Sequence, residues 1–157
     1  MSQQVSSDEL APTSDRIRQL TVDRLSAQLS EQELDDYLSK LGEGAPAPIG
    51  ATVDVKIAVW GKVSVDPDGQ PWKYDNTIWG GPAYFGSSVG FMYTAYDSWD
   101  AFFQNVSSCH IQGVDVGGGV LQVNWFIPNG TPVGQFNGVA AGAGLVEGGG
   151  SGKWQHK

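Results

Sequence analysis

Of the chain's 22 glycines only Gly42 and Gly44 precede Gly50, and at that same point the spacing of apolar residues changes. Before it, Ile17, Leu20, Leu25 and Leu29 recur near the helical interval with charges between them. After it, Val53, Val55, Ile57 and Val59 alternate with residues such as Asp54 and Lys56, which places the four aliphatic side chains on one face of a strand. Interior glycines let strands coil sharply and approach one another closely, which suits a small closed barrel and not a helical or α/β fold. The expected architecture is all-β: a compact antiparallel barrel of about eight short strands over residues 49–157, behind an acidic, partly helical or disordered arm over residues 1–48.

In the arm, the first dozen residues are polar and read as disordered, and the Ile17–Leu29 pattern predicts one helix. Ser30 and Glu33 match a capping box that opens a second short helix through Leu34, Tyr37, Leu38 and Leu41, with Gly42 as a left-handed cap. Gly44-Ala45-Pro46-Ala47-Pro48 then reads as a stiff extended spacer. Such an arm is expected to solubilise the barrel or act as a propeptide; the alternative is an adaptor for a secretion or chaperone partner. Residues 1 to 10 show neither the basic nor the apolar region of a secretory signal, so export is expected by a route without one, or from a longer precursor.

Along the barrel, Asp66-Pro67-Asp68-Gly69 has turn chemistry and joins the first strand to Trp72–Ile78 in a hairpin. Ala83–Thr94 reads as a strand interrupted by bends. Asp97–Phe103 reads as one short helix, rich in aromatics and placed to plug one end of the barrel. Val106–Val114 and Val120–Ile127 are further strands; Asn129-Gly130 suggests a type I′ turn returning Val133–Gly138, and the glycine-rich segment Val139–Trp154 is expected to close the barrel.

Composition restricts the chemistry. A net charge of −8, with Arg16, Arg18 and Arg24 all in the arm, leaves the barrel no basic surface for nucleic acid. Cys109 is the single cysteine, so no intrachain disulfide forms. His110 and His156 are the only histidines, too few for a zinc site. Cys109 and His110, adjacent in a strand, point to opposite faces and cannot act on one another: a core thiol beside a surface imidazole. No Gly-x-Ser-x-Gly elbow occurs. Gly148-Gly149-Gly150-Ser151-Gly152-Lys153 misses the phosphate-loop pattern, with Glu147 in place of the first glycine and Trp154 in place of the magnesium-holding hydroxyl. The carboxylates Asp54, Asp66, Asp68, Asp75, Asp97, Asp100, Asp115 and Glu147 fall mostly in turns or at the helix start. The expectation is no catalytic residue, no metal, no cofactor and no enzyme; two titratable side chains converging in one concave site would be the sign to the contrary. The remaining signal is aromatic. Trp60, Trp72 and Trp79 are the candidates for an exposed set that inserts at a lipid interface or stacks on sugars, and Trp60, of opposite parity to the valine run, is the best placed.

The order of Gly90-Phe91-Met92-Tyr93-Thr94, the helix Asp97–Phe103, Leu121-Gln122-Val123-Asn124-Trp125-Phe126 and the ending Gly148–Trp154 resembles the virulence-associated protein (Vap) family of pathogenic rhodococci, over about Ala51 to Trp154. The resemblance implies a compact eight-stranded Greek-key β-barrel with a filled interior, no catalytic residues and no deep pocket, acting through its surface. It also implies a secreted effector associated with survival in host phagocytes and with perturbation of endolysosomal membranes. The helical arm Asp15–Leu41 departs from the family pattern. The expected function is a toxin-like, monomeric effector acting on a host membrane or lipid; the alternative is a barrel binding a glycan or small ligand through exposed tryptophans.

Overall fold

The computed structural model describes residues 9–42, 46–114, 119–140 and 146–157. Gly44 and Ala45 of the spacer, Asp115, and residues 141–145 of the closing segment lie outside the described residues, as do residues 1–8 of the leading polar stretch. Two helices, α1 (Asp15–Leu25) and α2 (Glu31–Gly42), precede the long strands β1 (Ile49–Pro67) and β2 (Trp72–Thr94), the helix α3 (Trp99–Asn105) and strands β3 (Ser108–Val114), β4 (Val120–Phe126), β5 (Pro132–Ala140), β6 (Val146–Ser151) and β7 (Trp154–His156).

All pairings are antiparallel, in the order β1-β2-β5-β4-β3-β6. β6 also pairs with β2 at Trp79, Gly80 and Gly81, so the sheet closes on itself as expected of the last segment. β1 and β2 are long enough to serve twice. Their register shifts between Ile57 and Val59, and there the ribbon bends, so each strand contributes two arms and these with β3–β6 make up the expected eight staves. Gly80 sits at this bend with φ 155° and its backbone against Glu147 and Gly148 of β6, where any β-carbon would collide with the main chain.

Alternation fills the interior with Val53, Val55, Ile57, Val63, Val65, Ile111, Leu121 and Val123. Val59 breaks the run: the bulge turns it outward at φ 76° and it is 75% exposed, so the face shared by Val53 and Val55 ends at Ile57, two residues earlier than the spacing suggests. One end is plugged by α3, capped by Ser98, whose Oγ accepts from the Ala101 N–H. Phe102 and Phe103 of this helix enter a cluster with Trp125 and Trp154 at ring separations of 4.8–5.8 Å. At the β4–β5 connection the Gly130 N–H donates to the Ile127 carbonyl, 2.9 Å, and only Gly130 has positive φ. The turn is therefore centred on Pro128-Asn129, not on the type I′ pair Asn129-Gly130, because Asn129 keeps negative φ.

The arm is docked on the barrel. The capping box forms as read, with the Glu33 N–H donating to Ser30 Oγ and the Ser30 N–H to Glu33 Oε1. Gly42 is the last residue of α2 without adopting the left-handed conformation. Leu25, Leu34, Tyr37, Leu38 and Leu41 bury their side chains with Tyr93 and Phe126 of the barrel in a second apolar cluster. Leu10, within the stretch read as disordered, is 2% exposed.

Candidate functional site: an open tryptophan pair and a covered amide face

At the bend, Trp60 of β1 and Trp79 of β2 are directly opposed across the ladder, and each is 61% exposed. On its other side Trp79 faces Gly149, while Val59 faces Gly80. Glycines therefore stand where side chains would otherwise cover the rings, and Val59, next to Trp60 in the chain, is exposed as well. Trp72 does not join them. It is half-buried at the barrel end, stacked between Phe103 at 5.6 Å and His156 at 3.9 Å, and so serves the plug.

The opposite feature lies beneath the arm. β4 is buried along its whole length: Leu121, Val123 and Trp125 face the interior, while Gln122 and Asn124 face α1 and α2. With their ladder neighbours they form two rows across three strands, Gln112-Gln122-Asn137 and His110-Asn124-Gln135. Four of these amides close a ring, each donating to the next. Gln122 Nε2 donates to Asn137 Oδ1 at 2.9 Å, Asn137 Nδ2 to Gln135 Oε1 at 2.8 Å, Gln135 Nε2 to Asn124 Oδ1 at 3.1 Å, and Asn124 Nδ2 to Gln122 Oε1 at 3.0 Å. Over this ring the arm sets two hydroxyls. Thr21 Oγ accepts from Gln122 and Gln135 at 3.1 and 3.2 Å, and Tyr37 OH donates to Asn124 Oδ1 at 3.1 Å. Burial pushes the Tyr37 phenol well above its ordinary range, so it remains a donor.

At the margin of this face α1 meets His110, which is buried beneath the arm rather than at the surface. Arg24 Nε lies 2.8 Å from both ring nitrogens, and Glu147 Oε1 lies 3.4 Å from Nε2. Burial, and next the Arg24 cation, lower His110 to about 4, against a smaller opposing pull from Glu147. The imidazole is neutral and accepts from Arg24. Beside it a cleft of about 710 Å³ between arm and barrel is lined by Arg24, Glu33 and His110 among others. This is the convergence of titratable side chains in a concavity that would mark an enzyme. Ser107, Ser108 and Ser151 also line it, whereas Cys109 Sγ is turned into the core, where burial raises it to about 11. Among the described residues no group of three His, Cys, Asp or Glu side chains could hold a metal.

Parity in the sequence identified Trp60 as outward-facing, but not its partner. The amide ring was missed, although Gln122, Asn124, Gln135 and Asn137 alternate with the apolar residues of two successive strands. That alternation reads as a solvent face unless the cover is known.

No protein-family model matches the chain, and no curated protein does. Solved structures do, two virulence-associated proteins among them. The virulence-associated protein VapB from the intracellular pathogen Rhodococcus equi is 22% identical with a TM-score of 0.58, over 71% of this chain and 98% of that one. VapD from the same organism is 19% identical with a TM-score of 0.61, over 69% of this chain and 97% of that one. The barrel thus has the fold of the virulence-associated proteins, in agreement with the order of motifs in its sequence.

Proposed function

We propose that this chain is a non-enzymatic, virulence-associated barrel that works outside the producing cell, binding a host membrane or lipid through Trp60, Trp79 and Val59. The opposed, uncovered tryptophans carry the reading. Indole is favoured at the membrane interface, where its apolar body and N–H find different surroundings. Burying the exposed parts of two indoles and a valine contributes about 3–5 kcal/mol, enough for reversible contact and too little for insertion. No helix among the described residues is long and apolar enough to cross a membrane. The charge of −8 opposes anionic lipid at neutral pH and does so less in acid, as carboxylates protonate.

Co-sedimentation tests this, using the full chain and its Trp60→Ala/Trp79→Ala variant with phosphatidylcholine vesicles, with and without phosphatidylserine, at neutral and mildly acidic pH. The wild type should sediment, more strongly in acid, and the variant should bind at least about tenfold more weakly. Equal binding by the variant would move the contact elsewhere. No sedimentation with any vesicle would remove the membrane reading and favour a glycan.

A further inference from the structure

We propose that the amide face of β3–β5 is a second binding site, for a neutral carbohydrate, which α1 and α2 occupy in this structure and vacate by lifting off the barrel. The hydroxyls are the first argument. Thr21 Oγ, accepting from two amides diagonal across the four-amide ring, and Tyr37 OH, donating to a third, occupy positions that sugar hydroxyls fit, since each sugar hydroxyl also donates and accepts. The third contact from the arm, the Leu20 carbonyl receiving Gln112 Nε2 at 3.1 Å, is likewise neutral.

The composition of the face is the second argument. A surface covered permanently gains more from apolar contact than from neutral hydrogen bonds, each of which nets only about 1 kcal/mol. A surface that must also meet water keeps amides, because they remain satisfied when the cover leaves. Gln122, Asn124, Gln135 and Asn137 are all 0% exposed beneath the arm, yet each keeps one donated and one accepted bond within the ring without it, and water can replace Thr21 for the rest. Tyr93 and Phe126, covered by α2, would be uncovered beside them and supply the aromatic surface on which a pyranose stacks.

The third argument concerns what else could bind. Every strand of the face is paired on both sides, so no backbone edge is offered to an extended peptide. The ring carries no formal charge, and among the described residues the charged pair Arg24 and Glu147 lies at the His110 margin, so an anionic ligand has no counter-charge at the centre. Neutral, hydroxyl-rich and presenting an apolar flank, a carbohydrate meets each condition.

The test uses the full chain and a Leu34→Ala/Leu38→Ala variant that weakens arm docking without touching the face. Tetrasaccharides of glucose, mannose and N-acetylglucosamine are the probes, read by calorimetry and by amide hydrogen exchange. At least one should bind the variant at least about tenfold more tightly than the wild type, because the cost of opening is reduced. The same sugar in excess should speed exchange of α1 and α2 in the wild type and leave β4 protected, since ligand and arm compete. Failure of all three sugars to bind a folded variant would overturn the proposal. Should the variant not fold, wild-type exchange decides alone: arm amides indifferent to every sugar overturn it. Neither readout depends on Trp60 or Trp79, so this result and the vesicle result stand apart.

Discussion

Arg24 and His110 are 86 residues apart in the chain, and a 2.8 Å contact between the Arg24 Nε and the His110 ring joins the arm to the barrel. Because an imidazole accepts that proton only while neutral, the contact sets a pH dependence. His110 titrates near 4 when folded and near its ordinary 6.5 when unfolded, so between these values the unfolded chain binds more protons. Stability is then complete above pH 6.5 and falls as pH drops towards 4, by roughly 3 kcal/mol in all. Of the groups facing His110, Arg24 of α1 acts in the same sense, since protonation would set a second cation against it, and Glu147 of β6 offsets this in part. Urea unfolding at neutral pH and near pH 4.5 measures the loss, and His110→Gln should flatten it; an unchanged slope in that variant would assign the effect to carboxylates.

Thr21 is expected to be worth more than its size. Thr21→Val keeps the shape but leaves one N–H of Gln122 and one of Gln135 without their acceptor. The cost should be about 2 kcal/mol. Hydrogen exchange of α1 and α2 should rise before that of the barrel, and a uniform rise would place the arm within the global unfolding unit.

Phe102 anchors the plug, fully buried with Trp99, Phe103, Trp125 and Trp154 at ring distances of 5.4–5.8 Å. Phe102→Ala should cost about 3–5 kcal/mol in chemical denaturation. A loss below about 1 kcal/mol would mean that the cluster closes over the gap.

Val59 is the one non-glycine residue with positive φ among the described residues. That conformation costs a side-chain-bearing residue about 1–2 kcal/mol, whereas glycine loses about 0.5–1 kcal/mol through the entropy of its unfolded state. Val59→Gly should therefore raise stability by up to about 1 kcal/mol while reducing the apolar surface beside Trp60. A drop in the denaturation midpoint would show that the valine side chain stabilises the bend.

What could be read from the chain was whatever neighbouring residues decide among themselves. Alternation marks Val53, Val55 and Ile57 as one face, glycine marks where strands coil and close, and Ser30 with Glu33 marks a helix start; each signal acts within a few residues. Even there the bulge at Val59 was invisible, since it arises from closing the barrel and not from local preference. Periodicity assigns a side chain to a face and is silent about what lies against that face. Trp60 and Trp72 look alike in sequence, yet the barrel leaves one uncovered opposite Trp79 and stacks the other between Phe103 and His156. Nothing near Gln122 and Gln135 in the chain shows that they are buried, because their cover, Thr21, comes from 101 and 114 residues earlier. Burial of a polar group is a property of the pair of surfaces that meet, so only the tertiary structure turned an ordinary hydrophilic alternation into a closed ring of amides.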